Sequence, residues 1–281
     1  MIEAESTLIP RLKHFLILLL CGMLVFVFPR FMPGVFEPFF QFALVLIFSL
    51  VSLFIRKNGG YIRYFPVSYA FLMASTVTFM NNAIYVFELT NVSTVSGIFF
   101  AQVISTLMTI VPILILTKAS GVDYESIYLQ SGKLKLGLII GLGSFLFFLL
   151  LTSAIPRGAS MLFPVNPELS DDNLRTLLVW VVPFVLLNGF KEELWFRGIF
   201  LKPYGEFLGS GLANFLQAFI FSVTHMSVEY TPVILGFLFI TFLLALIWGF
   251  IVQRTNSIIG ASLFHATMDI AIALGIFSNM L

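Results

Sequence analysis

The sequence predicts an all-α protein, a polytopic membrane helix bundle with about eight to nine transmembrane helices. Three observations predict it. Asp, Glu, Lys and Arg together make up 10% of the 281 residues and apolar types 59%, whereas a soluble domain carries roughly 25% charged residues because its surface faces water. The apolar residues fall in runs close to the roughly 20 positions that a helix needs to cross the hydrocarbon. No run alternates apolar and polar residues at the two-residue period of a membrane barrel.

The first span is expected at 14–30. Arg11 and Lys13 precede its apolar run, as in a signal peptide, but Pro29 and Arg30 follow it without a small-residue cleavage pattern, so an uncleaved first helix is the better reading. Spans at 37–55 and 64–87 are separated by Lys57-Asn58-Gly59-Gly60, and residues 91–96 divide the latter from a span at 95–117. Residues 121–135 mix polar and apolar types and are expected at the interface. A span at 134–155 follows. The connection at 156–173, with Pro156, Pro164, Pro167, Asp171 and Asp172, reads as a loop or short surface helix. The remaining spans are expected at 174–203, 208–225, 232–252 and 256–277. The 208–225 run holds Gly209, Gly211, Asn214 and Gln217, so eight spans plus a partial or re-entrant segment fit equally well.

Orientation follows from the basic residues in the connections. With nine spans and the N-terminus in the cytoplasm, only Arg30, Arg157 and Arg175 of the 15 Lys and Arg fall on the far side. The expectation is a multi-pass protein of the cell (plasma) membrane, with residues 1–133 as N-terminal helices and 134–281 as the chemically active bundle of one integrated membrane domain. A net charge of +1 without a basic stripe argues against nucleic acid as a partner. The single cysteine, Cys21, excludes an internal disulfide.

Ionisable side chains inside a membrane are costly, at about 2.5–3.5 kcal/mol each on insertion scales, and mark function or pairing. Here they concentrate in the last third of the chain, which disfavours a transporter built from two similar halves. Glu192 lies roughly 24 Å along a helix begun at 176. Glu193 and Arg197 stand at i and i+4 and can pair. Glu192, about 100° away around the helix, keeps no helical partner and is available as a base. Phe221 lies four residues before His225, and His265 four before Asp269, so each pair shares a helical face. Three helices thus supply a carboxylate base, two imidazoles and an acid. Water polarised by Glu192 with His225 would attack a peptide carbonyl, and His265 with Asp269 would stabilise the oxyanion. Asp269 donates only if protonated; otherwise it orients and charges His265. The bland alternatives are a charged helix end at 191–197 and a structural His-Asp pair between helices.

At these residues the chain resembles the CAAX protease and bacteriocin-processing family of intramembrane glutamic endopeptidases. Its motifs Glu-Glu-x-x-x-Arg, Phe-x-x-x-His and His-x-x-x-Asn/Asp are matched in order by Glu192-Glu193-Arg197, Phe221-His225 and His265-Asp269, over about residues 174–277. The resemblance implies Glu192 and His225 as the water-activating pair, His265 and Asp269 as the oxyanion pair, and Glu193 and Arg197 as supports. Prenyl-protein peptidases of the family carry Asn where this chain carries Asp269. A Glu with two His could hold zinc, but no His-Glu-x-x-His helix exists here, so neither a metal nor another cofactor is expected. The expected partners are the lipid bilayer and a membrane-embedded or membrane-proximal peptide or protein substrate. The alternatives are a non-catalytic immunity or binding protein and a proton- or ion-coupled transporter.

Overall fold

The computed structural model describes residues 8–86, 89–154, 170–228 and 231–280. The regular elements among these residues are all helices, joined by turns and short irregular stretches, with no strand. The helices are α1 (Leu8–Phe26), α2 (Glu37–Lys57), α3 (Phe65–Val86), α4 (Val95–Ala119), α5 (Leu134–Ala154), α6 (Asp171–Glu192), α7 (Ile199–Leu208), α8 (Ser210–Val223), α9 (Ile234–Thr255) and α10 (Ile259–Ser278). The expected connection at 156–173 lies outside the described residues up to 169. Its end is visible as Ser170, whose hydroxyl caps α6 by accepting from the Asn173 amide at 3.2 Å.

Among the described residues, six stretches are long and apolar enough to cross a membrane: Ile9–Phe26, Glu37–Lys57, Val95–Ala119, Asp172–Leu208, Ile234–Thr255 and Ile259–Ser278. Shorter apolar helices occur at Leu134–Phe148 and Ser210–Val223. α8 has 14 residues, which reach roughly 21 Å and fall short of the hydrocarbon thickness of about 30 Å. The run expected as a span at 208–225 therefore does not cross alone. Gly209, at φ +76°, turns the chain sharply from α7 into it, a conformation that favours glycine.

Polarity is arranged from the inside outward. Large apolar side chains point away from the bundle, among them Phe39, Leu50 and Leu235 (79% exposed). Gln41, Gln102, Lys191, Glu193, Arg197 and Asp269 are buried. That is the arrangement of a lipid-solvated bundle.

α10 packs against α5 and α6, α2 against α3, and α8 against α9, while α4 bridges α3 and α6. The approach of α6 to α10 is close because Gly189 has no side chain: a Cβ there would meet the Ser262 carbonyl oxygen at 2.6 Å. This contact brings the end of α6 to the middle of α10. Between α4 and α5, a 3₁₀ turn at Tyr124–Ile127 ends in Tyr128 (φ 58°). The Tyr128 carbonyl accepts from the Ile258 amide at 3.2 Å, and Lys202 Nζ lies 4.5 Å from the centre of its ring. Burial pushes the Tyr128 phenol up to about 12.

Candidate active site

α6 runs through Pro183 and ends at Glu192, where the backbone widens into a π turn over Glu193–Gly198 before α7 resumes the α pitch. The Ile199 amide donates to the Leu194 carbonyl five residues back. The sequence reading of one uninterrupted α-helix to 203 missed this turn, because spacing alone does not distinguish α from π pitch. Glu193 and Arg197 lie inside the turn, both fully buried, with Arg197 Nη1 3.0 Å from Glu193 Oε1. Arg197 Nη2 donates to the Ala245 carbonyl of α9 at 3.3 Å. Its guanidinium carbon lies 4.3 Å from the centre of the Phe221 ring and 5.3 Å from that of Trp248. The anticipated ion pair forms, and aromatic faces surround its cation.

His265, buried on α10, reaches the same turn. Its Nδ1 lies 2.8 Å from Glu193 Oε1. A carboxylate paired with arginine only accepts, which assigns the Nδ1 proton to this bond. Trp248 stacks on the imidazole with ring centres 3.9 Å apart and planes 9° apart, and Phe221 meets it edge-on at 5.8 Å. The ring is thereby held with Nε2 facing Glu192 Oε2 at 3.5 Å and Asp269 Oδ1 at 3.7 Å. Both separations exceed hydrogen-bond length. The sequence paired His265 with Asp269 across one helical turn; the shorter bond is to Glu193, 72 residues away.

His225 sits just beyond α8, in the turn that follows it. Its Nδ1 lies 2.8 Å from the Phe221 carbonyl oxygen and 3.2 Å from Thr224 Oγ1. A carbonyl accepts only, so Nδ1 donates and Nε2 carries the lone pair in the neutral ring. Phe221 packs on His225 at 4.7 Å between ring centres. One aromatic ring therefore abuts the arginine and both imidazoles.

Glu192, His225, His265 and Asp269 all line one cavity of about 830 Å³, which Phe221 also lines. Glu193 and Arg197 stand behind it. Among the described residues, Glu192 Oε2 is buried without a hydrogen-bond partner.

The N-terminal helices contribute the facing wall, through Glu37 and Gln41 of α2, Asn81 and Asn82 of α3, and Gln102 and Ser105 of α4. The sequence reading found its polar residues in the C-terminal half; the cavity lining adds these from the N-terminal helices. A signal was present: Gln102, Ser105, Thr106 and Thr109 recur at helical spacing within an apolar span, as a polar stripe does.

Lys191, one of the ionisable residues that the sequence concentrates in the last third of the chain, is buried and lines the cavity. Its Nζ lies 3.3 Å from both Gln102 Oε1 and Ser105 Oγ. Asn188, one turn before Glu192, donates from Nδ2 to Asp269 Oδ2 at 2.8 Å. Trp248 carried no sequence signal, since an aromatic residue in a membrane span is ordinary.

Among the described residues, no group of three or more His, Cys, Asp or Glu side chains is arranged to hold a metal ion.

Fold and site together define a multi-pass integral membrane protein with a carboxylate–imidazole cluster on a cavity within its helix bundle. Residues 174–271 match the family model described as type II CAAX prenyl endopeptidase Rce1-like, in agreement with the resemblance carried by the three motifs. The matched segment holds every motif residue and leaves α1 to α5 outside. No curated protein and no solved structure matches the chain.

Proposed function

We propose that this protein is an intramembrane glutamate-dependent endopeptidase, which hydrolyses a peptide bond in a membrane-embedded or membrane-associated peptide. The observation that carries the reading is the convergence of Glu192, His225, His265 and Asp269 on one cavity, with Glu192 Oε2 accepting no hydrogen bond from the protein. A buried carboxylate oxygen left in this state is suited to hold a water.

In this mechanism, Glu192 accepts a proton from that water, while His225 Nε2 accepts a hydrogen bond from the O–H that remains and aims the oxygen at the scissile carbonyl. The hydroxide adds to the carbonyl carbon. The resulting oxyanion is met by His265, donating from Nε2 as the imidazolium, whose charge Glu193 and Asp269 balance. Collapse breaks the C–N bond, and Glu192 returns its proton to the leaving amine. Glu193 and Arg197 hold the ring of His265 in place and touch no reacting atom.

The match to a prenyl endopeptidase family supports peptides with a lipid-modified C-terminal region as the first substrate class to examine. The distribution of lysine and arginine supports a cytoplasmic N-terminus once Lys191 and Arg197 are removed from it; the plasma membrane is part of this proposal. Residues 134–281 carry the reacting groups, and 1–133 the opposite wall of the cavity.

The test is cleavage by purified protein in liposomes of a quenched-fluorescence peptide panel, farnesylated and unmodified. A parallel comparison covers membrane peptides from cells producing wild type or Glu192→Gln. Wild-type cleavage lost in a folded Glu192→Gln protein supports the proposal; equal cleavage by both ends it.

A proton or ion pathway is the second reading. The polar wall that α2, α3 and α4 add to the cavity favours keeping it. It requires pH-driven flux in the same liposomes without peptide.

A further inference from the structure

Lys191 and Asp269 carry opposite charges on the same cavity, yet among the described residues no carboxylate lies within 4.0 Å of the Lys191 ammonium. Two amides stand between them. Lys191 Nζ donates to Gln102 Oε1 at 3.3 Å, Gln102 Nε2 donates to Asn188 Oδ1 at 3.2 Å, and Asn188 Nδ2 donates to Asp269 Oδ2 at 2.8 Å. We infer that Gln102 of α4 is a positioning residue of the site: with Asn188 it forms a two-amide bridge between the Lys191 ammonium and the Asp269 carboxylate, which keeps Asp269 Oδ1 turned towards His265. This inference rests on the glutamate-site reading above and adds to it a residue outside the segment that the family model matches.

The chemistry of the two ends decides the direction of every bond. An ammonium only donates and a carboxylate only accepts, so Gln102 must present oxygen to Lys191, and Asn188 must present nitrogen to Asp269. Both amides then meet oxygen to nitrogen in the middle. Turning either one over sets like atoms against each other at two contacts, which removes the usual amide ambiguity. The amide dipoles align head to tail from the positive to the negative group, an arrangement in which each bond strengthens the next in a low-dielectric interior.

The lysine end is itself anchored. Ser105 Oγ is a second acceptor for Nζ at 3.3 Å and donates its own proton to Asn81 Oδ1 at 2.6 Å. Asn81 Nδ2 in turn donates to Thr109 Oγ1 at 3.1 Å. At the other end, Asn188 holds Asp269 Oδ2, and Oδ1 is the oxygen facing His265 Nε2 at 3.7 Å.

Steady-state kinetics in liposomes, on the peptide that wild type cleaves fastest in the panel above, separate this role from packing. Gln102→Leu removes the bridge. Gln102→Glu keeps the volume and the acceptor for Lys191 but has no N–H for Asn188. The expected result is a kcat lowered about tenfold in both, the size of losing one hydrogen bond, with KM within about twofold. In an Asp269→Asn background, Gln102→Leu is expected to add no further loss, since Gln102 acts through that carboxylate.

A Gln102→Glu protein with wild-type kcat, or fully additive losses in the double variant, overturns the inference. A readout without turnover accompanies these. The carboxylate infrared band of Asp269, isolated as the difference between wild type and Asp269→Asn, is expected to shift in Gln102→Leu, and an unmoved band also refutes the bridge. If Glu192→Gln is inactive while Gln102→Leu is fully active, the inference fails and the proposed function stands. If Glu192→Gln is fully active, the proposed function fails, and the infrared band alone decides the bridge.

Discussion

Glu193 and His265, 72 residues apart in the chain, meet at 2.8 Å between Oε1 and Nδ1. The same Glu193 oxygen lies 3.0 Å from Arg197 Nη1. A single buried carboxylate oxygen thus ties the π turn after α6 to the middle of α10 and leaves the opposite nitrogen of the imidazole facing Glu192.

Removing one partner of the Glu193–Arg197 pair leaves the other charged and buried. Arg197→Met is expected to destabilise the protein by about 3–5 kcal/mol, as breaking a buried ion pair does. Glu193→Gln/Arg197→Met is expected to recover much of that loss, and activity in it still to be low because His265 has lost its charged acceptor. Thermal melting in detergent, paired with the cleavage assay, checks both halves.

Glu192→Gln keeps volume and polarity and breaks no protein hydrogen bond of Oε2, because that oxygen has none. Its melting temperature is expected to match wild type while turnover disappears. A large loss of stability would show that Glu192 holds the bundle together, and would make its chemical role unnecessary.

Phe221 lies under the Arg197 guanidinium and against both imidazoles. Phe221→Ala is expected to cost about 3–5 kcal/mol, as truncating a buried aromatic ring does. Phe221→Leu should retain most of the stability but lose turnover, since a branched aliphatic group gives neither a face to the cation nor an edge to the rings. Melting curves and kcat measured on both variants decide it.

At Gly189 even a methyl group would meet the Ser262 carbonyl oxygen at 2.6 Å. Gly189→Ala is expected to push α6 from α10, costing about 1–3 kcal/mol as overpacking does. It should lower kcat more than it raises KM, because Glu192 and His265 stand on the two helices being separated. Gly205→Ala, where a Cβ meets nothing within 4 Å, is the matched control.

Tyr128 yields a prediction in alkali. Its phenol ionises at about 12 in the folded protein against about 10 in an unfolded chain. A raised folded value contributes stability that is present below pH about 10 and is lost as pH rises through the folded value. The stability advantage of wild type over Tyr128→Phe, measured by melting, is expected to shrink between pH about 10 and 12. An advantage constant across that window would show that the phenol is not buried in solution.

Much of this was legible in the chain itself. Scarce charge and long apolar runs specify an all-helical membrane bundle because lipid leaves the backbone no other solvent-free partner. The Glu193–Arg197 pairing follows from i,i+4 spacing, and the three motifs lie within the residues 174–271 that match the family model. Local spacing determines which residues share a helix face. It does not determine which faces meet. Only the tertiary structure decided that His265 bonds to Glu193 more closely than to Asp269. It also set the Lys191 ammonium against Gln102 and Ser105 of α4 and added the polar stripe of that helix to the cavity wall. Each of these depends on a contact between helices distant in sequence, set by where a glycine lets two backbones approach and where a widened turn rotates the side chains that follow it.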